Sequence, residues 1–360
     1  MPQAAFHDRA AGALMGAFIG DALALGPHWY YDLDELHAEF GDWITDYTAP
    51  RPGRYHAGMQ AGQSSQAGIL LRLTAESLVA CDGYDEADFC RRLDDFFALL
   101  DGRPMSGPGG YTSQSIREAW RKRVGPRLPW GQVGGNADTT EAAERTLAIA
   151  MRYALDPAAL AAAVTRNTVL TQTDGTVVAM TVAFGAVLGM LVEGNTLDAS
   201  ISAKLMARVK SGALPFHTVT VGNLQAPSPG AAEAPTLGRF PSPDALLTPS
   251  SIARAARDPD VRIEPAWKVS LLYGMPCAVY HQFPAAYHLA ARFADDFESA
   301  VLHAVNGGGQ NQARAILAGA LVGAQVGIRA IPRRFIDGLE HGGALLALAS
   351  RLAEQAEADG

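Results

Sequence analysis

The stretch Asn306-Gly307-Gly308-Gly309-Gln310-Asn311-Gln312-Ala313-Arg314 decides how this chain is read, together with the Ala-Ile-Leu-Ala-Gly-Ala-Leu-Val-Gly that continues it. Three glycines in a row remove every Cβ from a turn. The backbone there can reach positive φ or come close to a ligand or another chain segment. The residues that follow are small and apolar, with Ala315, Gly319 and Gly323 four apart on one face of a helix. Polar side chains at such a helix start lie where free N–H groups favour an anion or a polar ligand. A tightly packed core helix with an uncharged first turn carries the same pattern, so the stretch alone leaves both readings open.

Working outward, helical periodicity dominates. A small-residue helix runs from about residue 6 to 25, ending near Gly26-Pro27. Further helical segments are expected at 67–80, 86–100, 113–122, 139–153, 157–166, 175–192, 199–210, 250–256, 268–281, 284–292, 297–305, 312–328 and 343–355. Only residues 218–221 have a strand's pattern, and one isolated strand makes no sheet. The fold class expected is therefore all-α. Residues 125–136 hold two prolines, a tryptophan and four glycines, and are expected as an ordered surface loop. Residues 224–249 hold six prolines among Ser, Ala and Gly, and are expected as a loop excursion from a single domain spanning 1–360.

The totals narrow the function. A chain of 360 residues with 48% apolar and 18% charged side chains can bury a substantial core. Its 29 Lys and Arg against 37 Asp and Glu leave a net charge of −8 without any basic run, which argues against nucleic acid or an anionic membrane as partner. A small-molecule ligand is the expected partner. Cys81, Cys90 and Cys277 are far apart and lack metal-type spacing, as expected of reduced thiols in the cytoplasm. The N-terminus has no basic region ahead of its apolar segment, and the most apolar run, 177–192, is short for a bilayer span and contains two glycines.

Four segments, in order, resemble the ADP-ribosylglycohydrolase family. They are Gly12-Ala-Leu-Met-Gly-Ala-Phe-Ile-Gly-Asp-Ala-Leu, Ala61-Gly-Gln-Ser-Ser-Gln-Ala-Gly, Leu170-Thr-Gln-Thr-Asp, and the opening stretch with its Ala-Gly helix and the later Ala330-Ile-Pro. The resemblance covers about residues 8–340 and implies a single orthogonal multi-helix bundle. It also implies a cleft where the family holds two divalent cations on two carboxylate clusters. Here those positions read Ser65, Gln66, Ala67 and Gly68 in one cluster, and Gln310, Gln312 and Ala313 in the other. Magnesium requires hard, preferably anionic oxygens, and two dications without carboxylates repel each other uncompensated. No metal and no other cofactor is expected. His28-Trp29-Tyr30-Tyr31-Asp32 after Gly-Pro, Tyr55-His56 and Asn311-x-Ala-Arg314 look like the J-type crystallin branch. The family's Asn-Gly-Ser-x-Met-Arg segment has its nearest match in Gly135-Asn136-Ala137-Asp138, with Glu141 where the arginine would be.

The resemblance brings Asp21, His28, Gln66, Gln172, Asp174, Gln310, Gln312 and Arg314 toward one cleft, with His56 at its mouth and Asn311 beside it. Asp21 and His28 are the acid and base candidates. Gln66, Gln172, Gln310, Asn311 and Gln312 offer amide donors and acceptors to a neutral polar ligand. Arg314 is expected to hold a carboxylate or phosphate, or else to pair with Asp21. Asp174 is a substrate contact or a helix N-cap. Two functional readings follow: a metal-independent hydrolase of a glycosidic or related C–N bond in a small polar or nucleoside-like metabolite, and a non-catalytic binding or structural member.

Overall fold

The computed structural model describes residues 5–100, 113–216 and 244–358. Among these residues there are sixteen α-helices and no strand, and the expected all-α class holds. The strand pattern at 218–221 and most of the proline-rich stretch lie outside the described residues.

The fold is organised on two antiparallel helices, Phe6–Leu25 and Asn311–Val326. Glycines on one meet small residues on the other, backbone against backbone. A Cβ added at Gly12 would lie 2.4 Å from the Gly323 carbonyl oxygen, one at Gly16 2.1 Å from that of Gly319, and one at Gly20 2.1 Å from that of Ala315. No side chain fits in that seam, so the four-residue spacing of small residues sets both the pairing and its register. The pairing runs opposite ways along the chain. It therefore delivers Asp21, the residue after Gly20, to the N-terminal end of the partner helix, beside the glycine turn.

Helices Gly342–Ala358, Val279–Arg292, Phe297–Asn306, Gly175–Glu193 and Glu141–Arg152 pack around this pair. One apolar core draws residues from Ala10 to Ala353. A smaller cluster, including Phe89, Leu93, Phe97 and Ile116, lies beneath Trp120 and Trp130. Helix Gly175–Glu193 is long and apolar enough to cross a membrane by composition, yet 83% of its most apolar window is buried inside the bundle.

The structure departs from the sequence expectation in several places. Helices Leu33–Phe40 and Arg333–Gly338 have no counterpart among the expected segments, because one or two turns carry too little period to read. The helix expected at 268–281 is broken: a short helix, Val269–Tyr273, stops at Gly274, and the chain resumes as Val279–Arg292. Gly274 has φ of 119°, and Pro276 follows, so neither can continue a helix. Pro284 lies inside Val279–Arg292 and does not open a helix of its own. The last residues of the expected proline-rich loop are helical, in Asp244–Arg257.

Candidate active site

The glycine turn is held from three sides. Gly309 N–H donates to the Tyr30 carbonyl at 2.7 Å, Trp29 N–H donates to the Gly309 carbonyl at 3.1 Å, and Gln310 N–H donates to the Met275 carbonyl at 2.9 Å. Gly308 and Gly309 have φ of 62° and 59°, where a Cβ would also collide with the Tyr30 carbonyl or with Met275. The third support is Arg314. Its guanidinium is fully buried and turns back to the carbonyls of Ala304 (2.9 Å) and Gly308 (2.6 Å). Burial lowers its pKa to about 9. Ala304 lies in the last turn of helix Phe297–Asn306, where carbonyls lack intrahelical partners. Arg314 thus braces the turn and meets neither Asp21 nor the cavity described next.

Beside the turn is a small cavity of about 20 Å³, room for about one water. His28, His56, Gln310 and Gln312 line one part of it, and Gln66, Ala67, Leu70, Ser113, Glu141 and Glu144 the rest. Trp29 and His56 have φ of 64° and 66°. Left-handed backbone at bulky residues costs roughly 1–3 kcal/mol each and persists where surrounding structure enforces it, characteristically at functional sites.

His28 is 2% exposed and its state is set by its neighbours. Asn311 Nδ2 donates to the Pro27 carbonyl at 3.0 Å, which turns Asn311 Oδ1 toward His28 Nδ1 at 3.3 Å. Nδ1 is then the protonated nitrogen, leaving Nε2 as a lone-pair acceptor. That nitrogen has no hydrogen-bond partner. Burial first, then the neighbouring His56, holds the His28 pKa well below its ordinary value, so the ring is neutral. His56, 5.2 Å away between ring centroids, is lowered by burial to about 4.

Asp21 lies behind the cavity wall. Its carboxylate accepts from Ser65 N–H at 2.9 Å and Ser65 Oγ–H at 2.5 Å, at the N-terminus of helix Gln66–Cys81. A Cβ at Gly68 would lie 2.0 Å from Asp21 Oδ2. Absence of a side chain at Gly68, where the resemblance places a metal ligand, is what seats Asp21. Burial raises the Asp21 pKa to about 7, against the lowering effect of the Ser65 and Gly68 hydrogen bonds.

The amides divide. Gln66 Oε1 accepts from Ser113 N–H at 3.0 Å, and Gln310 Oε1 accepts from the Trp29 indole N–H. Gln312, 5% exposed, has an Nε2 without a partner. Gln172 is outside the cavity: its Oε1 accepts from Ala142 N–H at 2.9 Å, and its Nε2 donates to the carbonyls of Ala137 (3.0 Å) and Thr139 (2.7 Å). Asp174 is also outside, capping helix Gly175–Glu193 through the N–H groups of Thr176 and Val177. Burial pushes the Cys277 thiol up to about 11, which removes the thiolate a nucleophile needs.

Sequence reasoning missed Glu144 and gave Glu141 no role. Both open helix Glu141–Arg152, which is buried along its whole length. Glu141 Oε2 accepts from Ser115 Oγ–H at 2.7 Å and from Thr139 Oγ1–H, and Glu144 Oε1 accepts from Thr140 Oγ1–H at 2.6 Å. Burial, then the Glu141 charge, raises the Glu144 pKa to about 8. Burial also raises Glu141. Acids in a first helical turn are ordinary, and only a helix with no exposed face would have flagged these two.

The residues at the positions where the resemblance places the family's two carboxylate clusters do not suit a pair of dications. The carbonyl oxygens of Gln66 and Gln310 already accept protein hydrogen bonds, and Ser65 Oγ donates to Asp21. Among the described residues, no three His, Cys, Asp or Glu side chains are grouped to hold a metal ion.

A solved structure titled "ADP-ribosylglycohydrolase-related protein complex" shares the fold, with a TM-score of 0.61 at 20% identity over 98% of this chain and 99% of that one. No curated protein sequence is similar enough to count as a match. The sequence profile described as ADP-ribosylglycohydrolase matches residues 2–360. With the fold and essentially the whole chain accounted for in this way, the chain belongs to the ADP-ribosylglycohydrolase family.

Proposed function

We propose that this member is a metal-independent hydrolase of a glycosidic or related C–N bond in a small polar or nucleoside-like metabolite. The observation that carries the reading is the buried, neutral His28, which lines a cavity walled by amides and carboxyls and whose Nε2 has no partner. In that tautomer Nε2 takes a proton from an attacking water without first losing one, as a general base must. Asp21 holds the N-terminus of helix Gln66–Cys81, and through it the position of Gln66; it is a positioning residue. Gln312 Nε2 and the Gln310 amide nitrogen supply hydrogen bonds to a polar substrate. A dication pair would require anionic oxygens where this chain has amides and glycine.

The test is a turnover screen of small polar metabolites, with thermal shift against ADP-ribose, nucleosides and magnesium. Turnover that His28→Ala reduces at least a hundredfold, and that a chelator leaves unchanged, supports the assignment. Hydrolysis that depends on stoichiometric magnesium overturns it.

A second reading, a non-catalytic small-molecule-binding or structural member similar to the J-type crystallins, draws on the small size of the cavity. At about 20 Å³ it takes only a small end group unless its walls move. Ligand stabilisation without turnover would decide for this reading.

A further inference from the structure

Glu141 and Glu144 are three apart on the first turns of one buried helix, and both line the same cavity as His28. No lysine or arginine is among the described residues that line it. His28 adds a second, independent sign of a ligand: a 98%-buried ring whose Nε2 lone pair has nothing to accept from. The ionised carboxyls and His28 Nε2 are acceptors, which a compact group with several N–H donors would satisfy, while Gln312 Nε2 is an orphaned donor beside them. The space, about 20 Å³, matches one water-sized group.

We propose that this cavity binds a primary ammonium group, the end of an amine-bearing substrate or ammonia released from a C–N bond, between the Glu144 carboxylate and His28 Nε2. The proposal rests on the reading that this cavity is the functional site, and it narrows the substrate class to amines. In the empty site Glu144 keeps a proton, because burial and the Glu141 charge disfavour a second carboxylate. An incoming cation supplies the compensating charge, and Glu144 releases that proton to solvent as it binds. The other titratable groups acting on or around Glu144 are Asp21 from helix Phe6–Leu25, Arg145 on its own helix, Cys277 ahead of helix Val279–Arg292, and the two neutral histidines. Arg145 is occupied with Asn167, through Nε to Oδ1 at 2.7 Å and Nη2 to the carbonyl at 2.8 Å.

The test needs no turnover, so failure of the substrate screen and failure of this site are separate results. Ammonium, methylammonium, tetramethylammonium and potassium chlorides are titrated at equal ionic strength, by calorimetry in two buffers of different ionisation enthalpy. Ammonium and methylammonium are expected to bind with release of about one proton at pH 7. Their affinity should rise about tenfold from pH 6 to 7 and level off above about 8. Tetramethylammonium, which has no N–H, should not bind. Glu144→Gln should abolish both the binding and the proton release; if that variant does not fold, the pH dependence of the unsubstituted protein decides. An equal response to potassium, no ammonium binding, or affinity independent of pH between 6 and 8 overturns the proposal.

Discussion

The seam of the central helix pair and the polar end beside the glycine turn are built on opposite principles. Along the seam between Gly12, Gly16, Gly20 and Ala315, Gly319, Gly323, backbone meets backbone with no polar side chain between. At the N-terminal end of Asn311–Val326, buried polar groups crowd together, and His28 Nε2 and Gln312 Nε2 have no partner. A seam whose every contact is satisfied specifies the fold. A pocket left short of hydrogen bonds stores the incentive to take a ligand. The difference teaches where each kind of substitution should act.

The largest effect is expected at the seam. Gly16→Leu forces a side chain into a gap where even a Cβ stands 2.1 Å from a carbonyl oxygen. Overpacking of this kind costs about 3 kcal/mol or more, and soluble, cooperatively melting protein should be lost. A variant that expresses and melts like the parent would break the comparison. Arg314→Met comes next. It leaves the carbonyls of Ala304 and Gly308 unpaired in the interior, a loss of roughly 2–6 kcal/mol at about 1–3 per orphaned group, readable in urea unfolding. Were Arg314 a substrate anchor instead, binding would suffer while stability stayed put.

The cavity should declare itself through pH. Asp21 and Glu144 have folded-state pKa values raised to about 7 and about 8. The native protein therefore holds protons that the unfolded chain has already lost, and stability falls as pH rises from about 6.5 through 8. The fall should be of order 1–3 kcal/mol, and Glu144→Gln should flatten its upper part. Below about 6.5 the sign reverses for the histidines. His28 and His56 stay neutral in the fold, whereas the unfolded chain protonates them, so they withdraw stability as pH falls. Melting temperatures that climb steadily from pH 6.5 to 9 would contradict the carboxyl assignment. The smallest effect is expected at Asp174: its replacement by alanine should cost about 1 kcal/mol as a lost cap. Ligand affinity should be untouched, because Asp174 caps a helix and is not among the residues that line the cavity. A change in affinity would return it to the site.

Much of this was readable in the chain. Period and small-residue spacing place most helices, and the four ordered segments imply the family to which the chain belongs. The break at Gly274-Met275-Pro276 was missed because the apolar period happens to continue across it. Arg314 and Gln172 are polar residues in the segments that carry the resemblance, and spacing says nothing of which way a side chain turns. Both satisfy backbone groups, Arg314 at Ala304 and Gly308, Gln172 at Ala137, Thr139 and Ala142. Glu144 escaped notice for the converse reason, since an acid in a first helical turn looks like an ordinary dipole partner until the burial of its whole helix is known.

By itself the sequence determined the helical character, the stripes of small residues, and the amides at Gln66, Gln310 and Gln312. Those are properties of one residue and its near neighbours. Only the tertiary structure decided which polar atoms are satisfied and which await a partner, because that depends on pairs far apart in the chain: Asp21 with Ser65, His28 with Asn311, Glu144 in the same cavity as His28. Hydrogen-bond satisfaction and desolvation are set by what surrounds a group in space, and no local pattern encodes them.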